Sequence, residues 1–134
     1  MCASFSLALE HDPRKCCLVY QSERLTVCNY AWQGVPACAN SEIMTHKMRG
    51  TWNFTGSIVS DDGAIKQLTN CTKNHTARCP DGSRAGGHNF AVSLPEAAAL
   101  ALKAGCDVDY GGTFASSTWG LPAAMQQGLV TERD

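Results

Sequence analysis

Hydrophobic and polar positions along this chain fall into two periods, and the places where one period gives way to the other mark its predicted elements. Leu25-Thr26-Val27-Cys28-Asn29-Tyr30-Ala31 is rich in strand formers and runs into Gln33-Gly34-Val35-Pro36, a loop punctuated by Gly and Pro. Ile43, Met44, Lys47 and Met48 then recur at helical spacing, so a helix is predicted through Arg49, capped by Asn40 or Ser41 and ended by Gly50. Next comes the stretch that organises the rest, Gly56-Ser57-Ile58-Val59-Ser60-Asp61-Asp62-Gly63-Ala64-Ile65. Adjacent β-branched Ile58 and Val59 suit a strand buried on both faces, as in a parallel sheet. Strand, helix, strand with a crossover of this length is a βαβ unit.

Residues 63–92 are polar and glycine-rich, a length of loop that points to a segment over a site or to an insertion. Order returns at Ser93-Leu94-Pro95-Glu96, a capping box with a proline in the first turn, followed by the alanine- and leucine-rich run to Ala104 and then Gly105. Cys106-Asp107-Val108-Asp109-Tyr110 reads as a further short strand with acids near its end, and 121–127 as a short helix with Gly128 behind it. Thr131-Glu132-Arg133-Asp134 has the look of another helix start. Residues 1–24 carry little period: Cys16-Cys17-Leu18-Val19-Tyr20 can form a strand, and the rest is unassigned. The repeated unit is β/α, with too few copies to close a barrel.

Asp61 stands where the central strand stops, and parallel α/β scaffolds place their chemistry at the carboxyl ends of strands. The plain alternative is that Asp61-Asp62-Gly63 is only a polar turn.

Composition changes the picture in two respects. A length of 134 residues allows one ordinary domain, and a formal net charge of -1 gives no reason to expect nucleic acid or an anionic membrane as a partner. No apolar run approaches the roughly 20 residues needed to cross a bilayer. Eight cysteines and the sequons at Asn53, Asn70 and Asn74 favour a secreted or extracellular setting, although the first ten residues do not form a signal peptide.

In order along the chain, Gly34-Val35-Pro36-Ala37-Cys38, Arg49-Gly50-Thr51-Trp52-Asn53-Phe54-Thr55-Gly56, Ile58-Val59-Ser60-Asp61 and Ala104-Gly105-Cys106-Asp107-Val108-Asp109 form a series. Gly128-Leu129-Val130-Thr131 closes it. The series resembles the amino-terminal catalytic domain of glycoside hydrolase family 3, in its β-xylosidase-like branch, over residues 25–134. The resemblance implies an α/β fold: a partial, incomplete TIM-type (β/α) barrel of parallel strands and crossover helices. It implies a retaining β-glycosidase acting from the non-reducing end of an oligosaccharide or on an aryl β-glycoside, with Asp61 as the catalytic nucleophile and no cofactor. The family's acid/base lies in a later part of the protein, so the isolated chain is expected to be inactive, with the remainder of the parent glycosidase as its missing partner. The family's sugar-facing tyrosine falls one position later here, at Tyr30, and such a step on a strand swaps faces. Tyr30 and Trp119 are the candidate substrate-binding residues; Trp52 is expected in packing.

Three other constellations compete. Cys71, His75, Cys79 and His88 are zinc-binding types without a standard ligand spacing, so no metal is expected, and a Cys71–Cys79 disulfide suits the loop better. Asp107 and Asp109 share a strand face and could make a paired-carboxylate site, or could simply meet solvent and neighbouring backbone N–H groups. A non-catalytic secreted glycoprotein fragment that binds sugar or a protein is the alternative to the enzyme.

Overall fold

The computed structural model describes residues 18–21, 24–27, 31–69 and 87–134. Strands β1 (Leu18–Gln21), β2 (Arg24–Val27) and β5 (Ser57–Ser60) form one sheet in the order β1-β2-β5. β2 and β5 run parallel, with Leu25 opposite Ile58 and Val27 opposite Ser60. The parallel pair is the predicted βαβ unit. β1 departs from the all-parallel expectation: it pairs antiparallel to β2, from Leu18 opposite Val27 to Gln21 opposite Arg24. Only residues 22 and 23 separate the two strands, and so short a connection can join antiparallel neighbours alone.

The sheet continues beyond β5. Val59 forms a parallel bridge with Val108, Ser60 N donates to Val108 O at 2.9 Å and Asp107 N donates to Ile58 O at 2.9 Å. Residues 106–110, predicted as a strand, therefore take a strand's place through a single bridge.

The predicted strand over 25–31 ends sooner, at Val27. Ala31 and Trp32 form β3 (Ala31–Trp32), which pairs antiparallel with β4 (Val35–Pro36) in a small separate hairpin. Asn40 caps the helix that follows: its Oδ1 accepts from Ile43 N at 3.2 Å and its carbonyl from Met44 N at 3.0 Å.

That helix, Glu42–Thr51, is wound as a π-helix and runs past the predicted end. Trp52 N closes it on Lys47 O at 2.8 Å, five positions back. Ile43, Met44 and Met48 face the core, while the wider turn carries Lys47 to the flank, where its Nζ lies 4.7 Å from the Trp32 ring centre. Gly50 sits inside the helix, and the left-handed residue behind it is Asn53, at φ 49°.

Helix α1 (Leu94–Ala104) follows its sequence signals closely. Ser93 Oγ accepts from Glu96 N at 3.3 Å, and Glu96 Oε2 accepts from Val92 N at 2.7 Å. At the far end Gly105, at φ 103°, donates to Leu102 O at 2.9 Å and Cys106 N to Ala101 O at 3.1 Å, a closed pair that stops the helix. Its inner face is built of Ala97, Ala98, Ala101 and Ala104, all buried, and the small side chains let the helix lie close on the layer below.

The core holds Ile43, Met44, Met48, Ile58, Ile65 and Leu68, none more than 1% exposed. Val59 is buried as well, so β5 is covered on both faces as its sequence requires. A second, smaller cluster of Ala99, Ala124 and Val130 joins α1 to α2 (Leu121–Gln126). No described helix is long and apolar enough to cross a membrane.

Candidate active site at the carboxyl end of β5

Asp61 follows Ser60 directly at the carboxyl end of β5, and its side chain is exposed. One carboxylate oxygen accepts from Asp62 N at 2.8 Å, and the Asp61 carbonyl accepts from Ala64 N at 3.1 Å. These bonds give Asp61 a turn geometry, so the plain reading of Asp61-Asp62-Gly63 describes the backbone correctly. The turn is also what brings the carboxylate to the strand tip.

Ser60 anchors that tip. It is buried, its Oγ donates to Asp109 Oδ1 at 3.2 Å and accepts from Tyr110 N at 3.1 Å. Asp109 in turn gathers the loop beside the turn: Oδ1 accepts from Gly111 N at 2.9 Å and Oδ2 from Phe114 N at 2.8 Å. Gly111 lies so close to the Asp61-Asp62-Gly63 turn that a Cβ added there would stand 2.6 Å from Gly63 N.

A matching arrangement holds the other end of β5. Asp107 Oδ2 accepts from Ile58 N at 2.7 Å and pairs with the Arg49 guanidinium. Arg49 also donates to the carbonyls of Phe54, at 2.9 Å, and Gly56. Both oxygens of Asp109 and the Oδ2 of Asp107 are taken by N–H and O–H donors of β5 and its neighbours. The pair is a structural clamp rather than a paired-carboxylate site.

Trp119 is half-buried in the loop between Phe114 and α2, with its backbone N–H donating to Ser116 Oγ at 3.4 Å. That loop belongs to the same end of the sheet, because Phe114 N binds Asp109 and Leu121 N donates to Phe114 O at 3.1 Å. Trp52, expected in packing, keeps 37% of its surface exposed at the opposite end of β5. The π winding that carries the helix past Gly50 leaves it at the helix terminus instead of on the buried face.

Tyr30, Asn70 and Asn74 lie outside the described residues, as do Cys71, His75 and Cys79 with the expected disulfide. Among the described residues no group of three His, Cys, Asp or Glu side chains could hold a metal ion. Cys38 and Cys106 are both buried in the main core, and Cys106 is a free thiol. Burial pushes the Cys106 thiol up from the ordinary 9.0 to about 12, with the Asp109 and Asp107 carboxylates adding to the rise.

Sequence reasoning missed the roles of Ser60 and Arg49. The signal was the equal spacing of Ile58 and Ser60 on one strand and Asp107 and Asp109 on the next.

Residues 25–133 match the Glycosyl hydrolase family 3 N terminal domain, and the chain belongs to that family. It is 32% identical over 123 residues to Beta-D-xylosidase 1 of Arabidopsis thaliana, which covers 91% of this chain and 13% of that protein. It is 33% identical over 127 residues to the Exo-1,4-beta-xylosidase bxlB of Emericella nidulans, covering 89% of this chain and 14% of that protein. A solved GH3 exo-beta-xylosidase (XlnD), in complex with a xylobiose aziridine activity-based probe, is similar with a TM-score of 0.58 and 26% identity, covering 79% of this chain and 12% of that one. The chain thus spans 13–14% of the length of these curated relatives. The α/β fold is the one shared with the solved structures.

Proposed function

We propose that residues 25–134 are part of the TIM-type barrel of a retaining, exo-acting β-glycosidase of β-xylosidase type, and that Asp61 is its nucleophile. The observation that carries this reading is the exposed carboxylate of Asp61 at the carboxyl end of a parallel strand covered on both faces. The family membership and the xylosidase names of the relatives support the substrate class, a β-linked oligosaccharide or an aryl β-glycoside.

In the proposed reaction a carboxylate oxygen of Asp61 attacks the anomeric carbon as the bond to the leaving oxygen breaks, while a second carboxylic acid protonates that oxygen. Water, deprotonated by the same second group, then releases the sugar from Asp61 and restores the carboxylate. The second group must lie roughly 5–5.5 Å from the nucleophile. Asp109 has both oxygens, and Asp107 its Oδ2, engaged by the clamp, and Asp62 is the adjacent residue of the same turn. The family resemblance implies that the acid/base comes from a later part of the parent protein, and the isolated chain is accordingly expected to show no turnover.

The open side of residues 106–110, where Val108 is 45% and Tyr110 70% exposed, is the edge on which further barrel strands of the parent protein would add. Trp119 and, by the family resemblance alone, Tyr30 are assigned to sugar contact, and the setting is extracellular.

A chimera tests the assignment. Residues 25–133 replace the matching segment of a family 3 β-xylosidase, and release of nitrophenol from an aryl β-xyloside is followed. The expected result is turnover in the chimera, none in the isolated chain, and a fall of at least about 10³-fold with Asp61→Asn. Turnover by the isolated chain, or an active Asp61→Asn chimera, overturns it.

A further inference from the structure

We infer that Asn53 is an N-glycosylation site, placed at the end of the sheet opposite Asp61. The motif Asn53-Phe54-Thr55 supplies the acceptor amide and the hydroxyl two positions on. Its environment supplies what a bulky, hydrophilic modification needs in a folded protein. Asn53 and Thr55 are both exposed, and neither side chain hydrogen-bonds to a described residue. Phe54 between them is the half-buried member, with the Arg49 guanidinium 5.5 Å from its ring centre.

The backbone around the motif is held independently of the two side chains. Phe54 N donates to Met48 O at 2.9 Å, and Arg49 takes the carbonyls of Phe54 and Gly56. An oligosaccharide on Asn53 would thus disturb no internal bond. Asn53 lies before the amino end of β5 and Asp61 at its carboxyl end, so the modified face and the chemical face are different ends of one sheet.

The left-handed backbone at φ 49° gives Asn a second reason to occupy position 53, as the residue that turns the chain after the helix. Backbone geometry accounts for Asn53 but not for an exposed threonine without a partner at position 55. The two roles separate by substitution.

In the modification, the Asn53 amide nitrogen bonds to C1 of the first sugar of a lipid-pyrophosphate-linked oligosaccharide. The C1–O bond to the pyrophosphate breaks, the lipid pyrophosphate leaves with the electron pair, and the amide proton passes to a base of the transferase.

The test expresses the whole 134-residue chain behind a host leader in a eukaryotic secretory host. Secreted and cell-retained material are both treated with a peptide amidase that converts glycosylated Asn to Asp in heavy-oxygen water, and peptides are mapped by mass. The expected result is heavy-oxygen Asp at position 53. Thr55→Ala and Asn53→Gly abolish it, the latter keeping the left-handed backbone, while Thr55→Ser retains it. An unmodified Asn53 peptide in both fractions overturns the proposal, whether or not Asn70 or Asn74 is modified; so does label at 53 that persists in Thr55→Ala. The outcome is independent of whether Asp61 is a nucleophile.

Discussion

The Ser60 hydroxyl and the Asp109 carboxylate, 49 positions apart in the chain, meet at 3.2 Å and fix the residue on which Asp61 is mounted. The same carboxylate receives the N–H groups of Gly111 and Phe114, so one side chain organises the strand tip and the loop beside it. Removing it leaves those groups without their acceptor. Asp109→Ala is expected to destabilise the chain by about 1–3 kcal/mol, and Ser60→Ala by about 1 kcal/mol. Urea titration should show lower midpoints with unchanged slopes. The double variant should lose less than the sum, because the shared bond is removed once.

Arg49 works through its planar fork. Its pairing with Asp107 is partly exposed, at 31% and 44% of the two side chains, and solvent screens much of the charge attraction. The hydrogen bonds to the Phe54 and Gly56 carbonyls carry more of its effect. Arg49→Lys keeps the charge and loses the fork, so it should still cost about 1 kcal/mol or more. That loss should persist in high salt. A loss that vanishes with added salt would place the contribution in the ion pair instead.

Cys106 sets a dependence on alkaline pH. Its thiol ionises near 9.0 when the chain is unfolded and at about 12 in the fold, so the folded state holds the proton longer. The contribution to stability is complete below pH 9 and is lost as pH rises toward 12. Cys106→Ser should flatten the alkaline limb of the stability profile. Iodoacetamide at neutral pH should leave Cys106 unmodified in the native chain and label it in denaturant.

How far the fold was legible depended on the range of the forces involved. β5 and α1 were readable because their signals are local: two β-branched residues in a row, and Ser93, Glu96 and Gly105 in cap positions. The helix over 42–51 was readable as a helix, but its π winding was not. The three apolar residues it buries, Ile43, Met44 and Met48, fit both a normal and a wide turn, and the tertiary contacts decide between them. β1 was visible only as a run of strand formers, and its antiparallel partner follows from the short connection to β2.

At the site, Asp61 was readable from the abrupt end of an apolar run. Ser60 and Arg49 were not, because they act through partners 49 and 58 positions away, and the equal spacing of Ile58 and Ser60 with Asp107 and Asp109 is the one trace the sequence carries of that pairing.

The central claim is that Asp61 forms the covalent bond to sugar, and a trapped intermediate tests it most directly. The chimera carrying residues 25–133 is incubated with a 2-deoxy-2-fluoro β-xyloside bearing a good leaving group, and its peptides are mapped by mass. The account predicts the mass of one fluorinated sugar on the peptide that contains Asp61, and none after Asp61→Asn. Label on another carboxylate, with the Asp61 peptide unmodified, would contradict it.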